Sequence, residues 1–208
     1  MSAFVNKHLR AIPIWLAYGA GLLPLAWLVW RLLSGGLGVD PVRALEAELG
    51  QTGLKLIVLG LIISPLQRYA NLRLIRFRRA IGLLAFFYVT LHMLTWLLLD
   101  MQLLWGQIWK DILKRPYITL GMAGFAMMLP LALTSNDRII RRMGAAAWRR
   151  LHRLVYPVAL AGALHYFLVV KGWQPEPIVY LAVILGLLGL RILPAMKMRM
   201  RRALADSN

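Results

Sequence analysis

The sequence has no cysteine among its 208 residues. Disulfides, iron–sulfur clusters, thiolate metal sites and covalently attached c-type haem are therefore excluded, because each of them requires cysteine sulfur. Any metal must be bound by histidine, methionine or oxygen ligands. The sequence also has no glycine-rich phosphate loop and no dinucleotide-binding fingerprint. We therefore expect no nucleotide-binding module within this chain.

Acidic residues are scarce. Eight Asp and Glu accompany 25 Lys and Arg, which gives a formal net charge of +17. Such a surplus is typical of nucleic-acid binding, of binding to anionic lipid, or of the topology of a membrane protein. Here the charges form clusters between long apolar runs, and 60% of the residues are hydrophobic. This pattern favours a membrane protein and argues against a nucleic-acid partner.

Six apolar segments are candidates for membrane spans, since a helix crosses the hydrocarbon with roughly 20 residues. In lipid every backbone polar group must be paired within the protein, which favours helices. The sequence therefore predicts an all-α integral membrane protein, a six-transmembrane-helix bundle that forms a single domain over residues 1–208. The first segment is too long for a signal-peptide core, so we expect a retained span. The spans are predicted near residues 11–33, 52–67, 80–99, 117–134, 151–170 and 178–193.

Basic residues are unequally divided between the two ends of these spans. Because cytoplasmic loops are enriched in Lys and Arg, the richer side is predicted to be cytoplasmic, and it holds both termini. The poorer side receives Arg31, Arg43, Lys55, Lys110, Lys114, Arg115 and Lys171. The richer side receives Lys7, Arg10, Arg68, Arg73, Arg76, Arg78, Arg79, Arg138, Arg141, Arg142, Arg149, Arg150, Arg153, Arg191, Lys197, Arg199, Arg201 and Arg202.

Two histidines are predicted to lie deep in the bilayer. With a helical rise of 1.5 Å per residue, His92 in the third span and His165 in the fifth lie roughly 18 and 21 Å from the cytoplasmic ends. Imidazoles at similar depth on neighbouring helices suit the two axial ligands of a b-type haem. Histidines that are merely hydrogen-bonded are the alternative, and zinc is disfavoured because no acidic or thiolate ligand shares that depth. Nearby glycines that would make space for a flat ligand are Gly82, Gly121, Gly124 and Gly162.

His152 begins the fifth span, about 20 Å nearer the cytoplasm than His165. The matching height on the third span lies near Arg79, where no histidine stands. A second haem would therefore need another ligand, and a solvated or lipid-facing His152 is the alternative. His8, in the basic N-terminal tail, is predicted to be exposed. The arginine clusters at residues 76–79 and 149–153 suit haem propionates, a flavin phosphate or an anionic partner, although topology alone also explains them.

Several motifs indicate a known family. In chain order they are GGLGVDP, SPLQRYA, RRAIGLLAFFYVTLHMLTW, RPYITLG, PLALTS and WRRLHRLVYPVALAGALHYF. Together they resemble the haem-binding membrane subunits of bacterial protein-methionine-sulfoxide reductase systems, a branch of the ferric-reductase-like transmembrane proteins. The likeness covers nearly the whole chain.

The resemblance implies a multi-pass protein of the bacterial inner membrane that binds haem b and FMN. Such proteins take electrons from the quinone pool or a cytosolic flavin reductase. They pass the electrons to a periplasmic molybdopterin-containing catalytic subunit, which reduces methionine sulfoxide in oxidised proteins. In the wider superfamily two helices each commonly bear two haem ligands. His92, His152 and His165 match three of those positions and the fourth is absent.

We therefore expect an electron relay with no substrate chemistry on this chain, whose partner docks on outer loops 35–50 and 101–114. Three alternatives stay open. A transporter would use buried ionisable groups, but no acid–base pair stands at mid-membrane. A membrane anchor would be colourless, with replaceable histidines. A stand-alone ferric or quinone reductase would share the haem core and use another acceptor.

Overall fold

The computed structural model describes residues 2–170 and 173–205, and it describes side chains from 4 to 170 and from 173 to 191. All of the regular secondary structure in these residues is helical. Single turns of 3₁₀ helix lie at Ile75–Phe77 and His152–Leu154, and a π-helical turn lies at Trp96–Asp100. The α-helices are α1 (Ser2–Ala11), α2 (Ile14–Leu33), α3 (Pro41–Tyr69), α4 (Arg78–Thr95), α5 (Trp105–Lys114), α6 (Pro116–Leu133), α7 (Asp137–Met143), α8 (Ala145–Leu151), α9 (Val155–Val169) and α10 (Pro175–Ala205).

Several of these helices are suited to a membrane. Within the described part of the chain, four helical segments are long and apolar enough to cross one: Ile14–Leu33, Pro41–Tyr69, Ile75–Asp100 and Pro116–Leu133. The all-helical class and a multi-pass membrane protein are thus confirmed. The fifth and sixth spans and the cytoplasmic placement of the termini stay predictions. Outside the described side chains lie Lys171, Lys197, Arg199, Arg201 and Arg202, which contributed to the predicted topology.

The second predicted span, residues 52–67, is part of a much longer helix. The preceding segment, which includes most of the predicted outer loop 35–50, is helical as well, because α3 runs without interruption from Pro41. Proline is favoured at a first helical position because its missing N–H has no helical partner there. Asp40 caps the helix, since its side chain accepts a hydrogen bond of 3.0 Å from the backbone N–H of Arg43. The extension places Gly50 within a helix that faces α4.

Five helices share the main core. Small side chains at Ala159, Ala161 and Ala163 are buried on α9, which lets neighbouring helices approach closely. A Cβ added to Gly124 on α6 would lie 3.6 Å from the Cβ of Ala161, in ordinary contact. The remaining buried members of this core come from α3, α4, α6, α9 and α10, and are Leu54, Ile57, Leu61, Ala85, Met128, Val158, Ile184 and Leu188.

Tyr88 joins α4 to α2. Its side chain is buried, and its hydroxyl donates a hydrogen bond of 2.7 Å to the carbonyl of Gly21. The same oxygen accepts a bond of 3.1 Å from the N–H of Leu25. An uninterrupted helix pairs these two backbone groups with each other, so Tyr88 bridges a turn of α2. This contact fixes α4 one turn before His92.

The segment between α6 and α9 forms two short helices. Asn136 caps α7 by accepting a bond of 2.9 Å from the N–H of Ile139, and Gly144 separates α7 from α8 with a φ of 78°. Glycine suits this position because a side chain is strained at positive φ. Arg79 at the start of α4 forms an ion pair with Asp137. The short helices thereby bring Trp148 and His152 back against the end of α6.

Candidate cofactor site

His92 on α4 and His165 on α9 meet, as their matched depths predicted. Their ring centroids are 6.0 Å apart and their planes differ by 80°. Metal–imidazole bonds of about 2.0 Å, with each ring centre roughly 1.1 Å behind its nitrogen, place two ring centres about 6 Å apart when one metal ion lies between them. The outer histidine pair, as we call His92 and His165, therefore has the spacing of two ligands on opposite sides of a single metal.

Backbone carbonyls select the nitrogen that each ring offers. Nδ1 of His92 lies 2.9 Å from the carbonyl oxygen of Glu46, and Nδ1 of His165 lies 2.7 Å from that of Tyr117. A carbonyl can only accept, so both Nδ1 atoms are protonated and donate. The lone pair of each neutral ring then lies on Nε2. Hydrogen bonds of this kind orient metal-binding histidines and raise their basicity.

Two glycines let the imidazoles reach those carbonyls. Each glycine lies one helical turn after the residue whose carbonyl accepts the bond. A Cβ on Gly121 would stand 2.9 Å from Nδ1 of His165, and a Cβ on Gly50 would stand 3.0 Å from Nδ1 of His92. Both distances are shorter than ordinary van der Waals contact. The helices α3 and α6 therefore present the same feature, a carbonyl with a glycine four residues later.

This arrangement corrects the role expected for the glycines. Gly121 was expected to leave space for a flat ligand, but the imidazole of His165 fills that space. Of the other three, Gly124 and Gly162 would place an added Cβ in ordinary contact with Ala161 and Leu54, at 3.6 and 3.5 Å, whereas nothing lies within 4 Å of a Cβ added to Gly82. Gly50 was missed, because it lies in a segment that was assigned to a surface loop.

The carbonyls of Glu46 and Tyr117 were also missed. Sequence gives little sign of such groups, since every residue has a carbonyl. The one available signal is glycine at the fourth position after each: Glu46 with Gly50, and Tyr117 with Gly121. That spacing becomes informative only when the helix that faces each glycine is known.

The inner histidine cluster consists of His152, Trp148 and Thr134. The rings of Trp148 and His152 stack, with centroids 3.9 Å apart and planes inclined by 28°. The indole Nε1 donates a bond of 3.0 Å to the carbonyl of Thr134. The Thr134 hydroxyl lies 2.6 Å from the carbonyl of Pro130 and 3.1 Å from Nε2 of His152.

The hydroxyl has one proton to give. Its shorter contact is to the carbonyl of Pro130, which can only accept, so Thr134 donates there and accepts from Nε2–H of His152. Nε2, the nitrogen that the outer pair leaves free, is therefore hydrogen-bonded to Thr134 in the inner cluster. The structure brings no second histidine to His152, in agreement with the missing fourth position. His8 is exposed, as expected.

The outer pair provides two ligands, which suits a metal whose other ligands belong to a prosthetic group. Among the described residues, no group of three or more His, Cys, Asp or Glu is placed to hold a metal ion. Beside the pair, the side-chain amide of Gln51 donates a bond of 3.0 Å to the hydroxyl of Tyr166. The residues present fit such a group, since His92 and His165 would hold its metal through Nε2.

The structure is thus that of a helical membrane protein in which two helices, α4 and α9, each contribute one imidazole to a common site. The chain matches a family model described as ferric reductase like transmembrane component over residues 49–163, and it belongs to this family. Its relatives include proteins named protein-methionine-sulfoxide reductase heme-binding subunit MsrQ. One, from Caulobacter vibrioides, is 51% identical over 180 residues, which are 86% of this chain and 84% of the relative.

Two further relatives have the same name. The protein of Agrobacterium fabrum is 45% identical over 196 residues, which cover 94% of this chain and 91% of the relative. That of Brucella ovis is 43% identical over 176 residues, which cover 84% and 79%. Within the ferric-reductase-like family the chain thus groups with MsrQ haem-binding subunits, as the motifs indicated.

Proposed function

We propose that this chain is the electron-transfer subunit of a methionine-sulfoxide reductase system, with one b-type haem held between His92 and His165. The single observation that supports this most directly is the outer histidine pair, whose protonated Nδ1 atoms leave both Nε2 atoms free at the spacing of axial ligands. The family membership and the relatives' names, which describe a haem-binding subunit, support the same function.

Bound haem would supply a one-electron redox couple at this position. The chain's own contribution is to hold and tune the ligands. The carbonyls of Glu46 and Tyr117 keep the rings oriented and increase the donor strength of Nε2, which favours the oxidised metal. Buried apolar residues of α3, α4, α6 and α9 keep water from the site, and a dry environment also sets the potential.

The family resemblance implies outward electron flow, and the predicted topology places the two ends of the path. Electrons would enter near the inner histidine cluster and the cytoplasmic arginines, from the quinone pool or a cytosolic flavin reductase, and leave from the outer pair. The name of the relatives supports a methionine-sulfoxide reductase catalytic subunit as the acceptor. We propose that it is a periplasmic molybdopterin enzyme that docks on residues 35–50 and 101–114. FMN and a role for His152 as a second haem ligand stay predictions.

Visible spectroscopy tests the haem site. The protein would be purified in mild detergent, and its oxidised and dithionite-reduced spectra recorded with a pyridine haemochrome assay. We expect a b-type spectrum in the wild type and its loss in His92→Ala and in His165→Ala. His8→Ala is the matched control, because this imidazole is exposed, and it should retain the full spectrum. A wild type without haem, even when haem is supplied during expression, would overturn the proposal and favour an anchor or transporter.

A separate experiment tests the acceptor. The chain would be coexpressed with the catalytic subunit from the same genome, and the reduced haem would be followed by stopped-flow absorbance after methionine sulfoxide is added. Reoxidation that depends on both the catalytic subunit and the sulfoxide supports the proposed system. Reoxidation by ferric chelate or quinone alone, with no response to the catalytic subunit, would instead identify a stand-alone reductase with the same haem core.

A further inference from the structure

A cavity of about 200 Å³ lies where the end of α3 meets the beginnings of α4 and α9 and the middle of α10. It is separate from the outer histidine pair. Three arginines, two tyrosines and a serine contribute polar groups to its wall: Arg68, Arg78, Arg191, Tyr69, Tyr156 and Ser64. Arg68 and Tyr69 are exposed, whereas Arg78 and Arg191 are half-buried. The cavity therefore opens at one end of the helices and narrows between them.

The positive charges of this cavity have no acidic partner in the described part of the chain. No carboxylate lines it, and the ion pairs of the described residues involve Arg31, Arg79 and Arg115 instead. Guanidinium groups that face one partly buried space repel each other more strongly than they would in water. A bound anion would relieve that repulsion and accept hydrogen bonds from the guanidinium groups.

Arg191 is already held in place for such a ligand. One of its terminal nitrogens donates to the carbonyl of Leu61, and the guanidinium carbon lies 5.5 Å from the ring centroid of Tyr156. Its Nε is buried and has no hydrogen-bond partner among the described residues. A buried donor without a partner destabilises the fold. An oxyanion in the cavity would give this donor a partner.

We propose that this cavity binds the phosphate of an anionic phospholipid headgroup. Basic pockets between helices near a membrane surface suit such headgroups, and tyrosines are favoured at the same level. Leu190, which is 46% exposed, extends the wall of the cavity towards the apolar face of α10 and gives the acyl chains a surface. This proposal does not depend on haem binding.

The size of the cavity favours a lipid phosphate over a whole soluble nucleotide. A volume of about 200 Å³ equals that of roughly six or seven waters, at about 30 Å³ each. Phosphate and part of the glycerol fit this space. Sites for complete drug-sized ligands usually measure about 300–1,000 Å³. A phospholipid needs to insert only its headgroup, because its tails stay in the bilayer.

Native mass spectrometry of the delipidated protein in detergent tests the proposal. Phosphatidylglycerol and phosphatidylcholine would be titrated separately onto the wild type, Arg78→Gln/Arg191→Gln and Arg68→Gln. We expect phosphatidylglycerol to bind the wild type at least about tenfold more tightly than phosphatidylcholine, and the double variant to lose this preference. Arg68→Gln should weaken binding by a smaller factor, and it retains the fold because the side chain is exposed. The matched control Arg142→Gln/Arg150→Gln removes two exposed arginines outside the cavity and should bind as the wild type does.

Competition identifies the source of the phosphate. Inorganic phosphate and FMN would be added to the wild type before the lipid. Retention of phosphatidylglycerol in the presence of either supports a lipid site. If FMN or inorganic phosphate binds in an Arg191-dependent way while phosphatidylglycerol does not bind, the lipid assignment is wrong. Equal lipid binding by the Arg78→Gln/Arg191→Gln variant and its control would overturn the site itself, since net charge alone would then explain the affinity.

Discussion

The outer histidine pair and the inner histidine cluster use the same side chain in opposite ways. In the outer pair a carbonyl accepts from Nδ1, which leaves Nε2 free, and a second imidazole stands 6.0 Å away between ring centroids. In the inner cluster His152 donates from Nε2 to Thr134 and stacks on Trp148. The first arrangement suits the metal site that we propose, whereas the second uses one ring to join two helices.

The two regions differ in which ring nitrogen has a hydrogen-bond partner within the protein. A buried imidazole needs a partner for each ring nitrogen. In the outer pair the backbone provides a partner for Nδ1 of each ring, and Nε2 is available to the metal of the proposed haem. In the inner cluster Thr134 binds Nε2, the nitrogen that a metal would use. The partner of Nε2 therefore distinguishes the two regions better than burial does.

The largest effect is expected when the outer pair loses its glycines. In Gly121→Ala the new Cβ would meet Nδ1 of His165 at 2.9 Å, so the ring must leave the carbonyl of Tyr117. Loss of a partner of this kind typically lowers metal affinity by about 10–100-fold. We expect the haem content per protein to fall by about tenfold, measured by pyridine haemochrome. Gly50→Ala should have the same effect to a smaller extent.

Gly82→Ala is the matched control, because a Cβ there meets nothing within 4 Å. This substitution also lies on α4, and alanine is the better helix former. Haem content should therefore be unchanged or slightly higher. If Gly121→Ala binds as much haem as Gly82→Ala, with an unchanged reduction potential, the carbonyl of Tyr117 does not position His165. The hydrogen bond to Nδ1 would then not explain the difference between the outer pair and the inner cluster.

The next effect concerns the inner cluster. Because Nε2 of His152 is engaged by Thr134, His152→Ala should leave the haem of the outer pair in place, with its reduced spectrum and potential unchanged. Thr134→Val should behave in the same way. Both would be measured by redox titration beside His92→Ala. If His152→Ala loses the haem spectrum completely, the haem of the outer pair depends on the inner cluster and the two regions are not independent. If the ratio of haem to protein is halved instead, a second haem is bound at His152.

The sequence predicted the pair well because depth along a helix is simple to count. His92 and His165 lie at similar distances from the predicted cytoplasmic ends, so neighbouring helices bring them level. The all-helical class followed from the apolar runs, whose length is imposed by the bilayer. The predicted limits of the spans agree closely for α2 and α6. These features depend on local pattern alone.

What the sequence did not show depends on contacts between helices. Most of the surface loop predicted before the second span is the first part of α3. The turn residues of that segment all precede Pro41. Gly50 lies inside the helix, where glycine is tolerated because another helix packs closely against it. The stack of Trp148 on His152 was equally hidden, because α8 and a 3₁₀ turn reorient that segment. Residue spacing on an ideal helix does not describe such a change of direction.

A moderate effect is expected at Tyr88, which fixes α4 beside the outer pair. Tyr88→Phe removes the donor to Gly21 and the acceptor for Leu25. A hydrogen bond of this kind contributes about 0.5–1.5 kcal/mol, and the two backbone groups are only partly buried. We expect thermal unfolding of the purified protein to occur a few degrees lower, with the haem spectrum retained in shape.

Tyr69→Phe serves as the control, since this ring is exposed and the same atom is removed. Its unfolding temperature should match that of the wild type. If Tyr88→Phe is as stable as Tyr69→Phe, α2 closes its own turn without the hydroxyl, and the position of His92 does not depend on this bridge. In that case the orientation of the two imidazoles in the outer pair would depend on their contacts with α3 and α6 alone.

The smallest effect is expected at the ion pair that holds α7 near the inner cluster. The hydrogen bond from Arg79, and its charge, lower the pKa of the Asp137 carboxyl below its ordinary value. A carboxyl whose pKa is lower in the folded state adds stability above the pKa of the unfolded chain, about 3.9. That stability is lost as the pH falls through the folded pKa. The pair is exposed, so salt should screen it.

Thermal unfolding would therefore be compared for the wild type, Asp137→Asn, Arg79→Gln and the double variant between pH 3 and pH 7. The coupling between the two positions should be small at pH 7, decrease towards pH 3 as the carboxyl begins to be protonated, and shrink at about 1 M salt. This cycle separates the pair from the favourable placement of an acid in the first turn of α7. A coupling that persists undiminished at pH 3 would mean that Asp137 acts through a contact other than its charge.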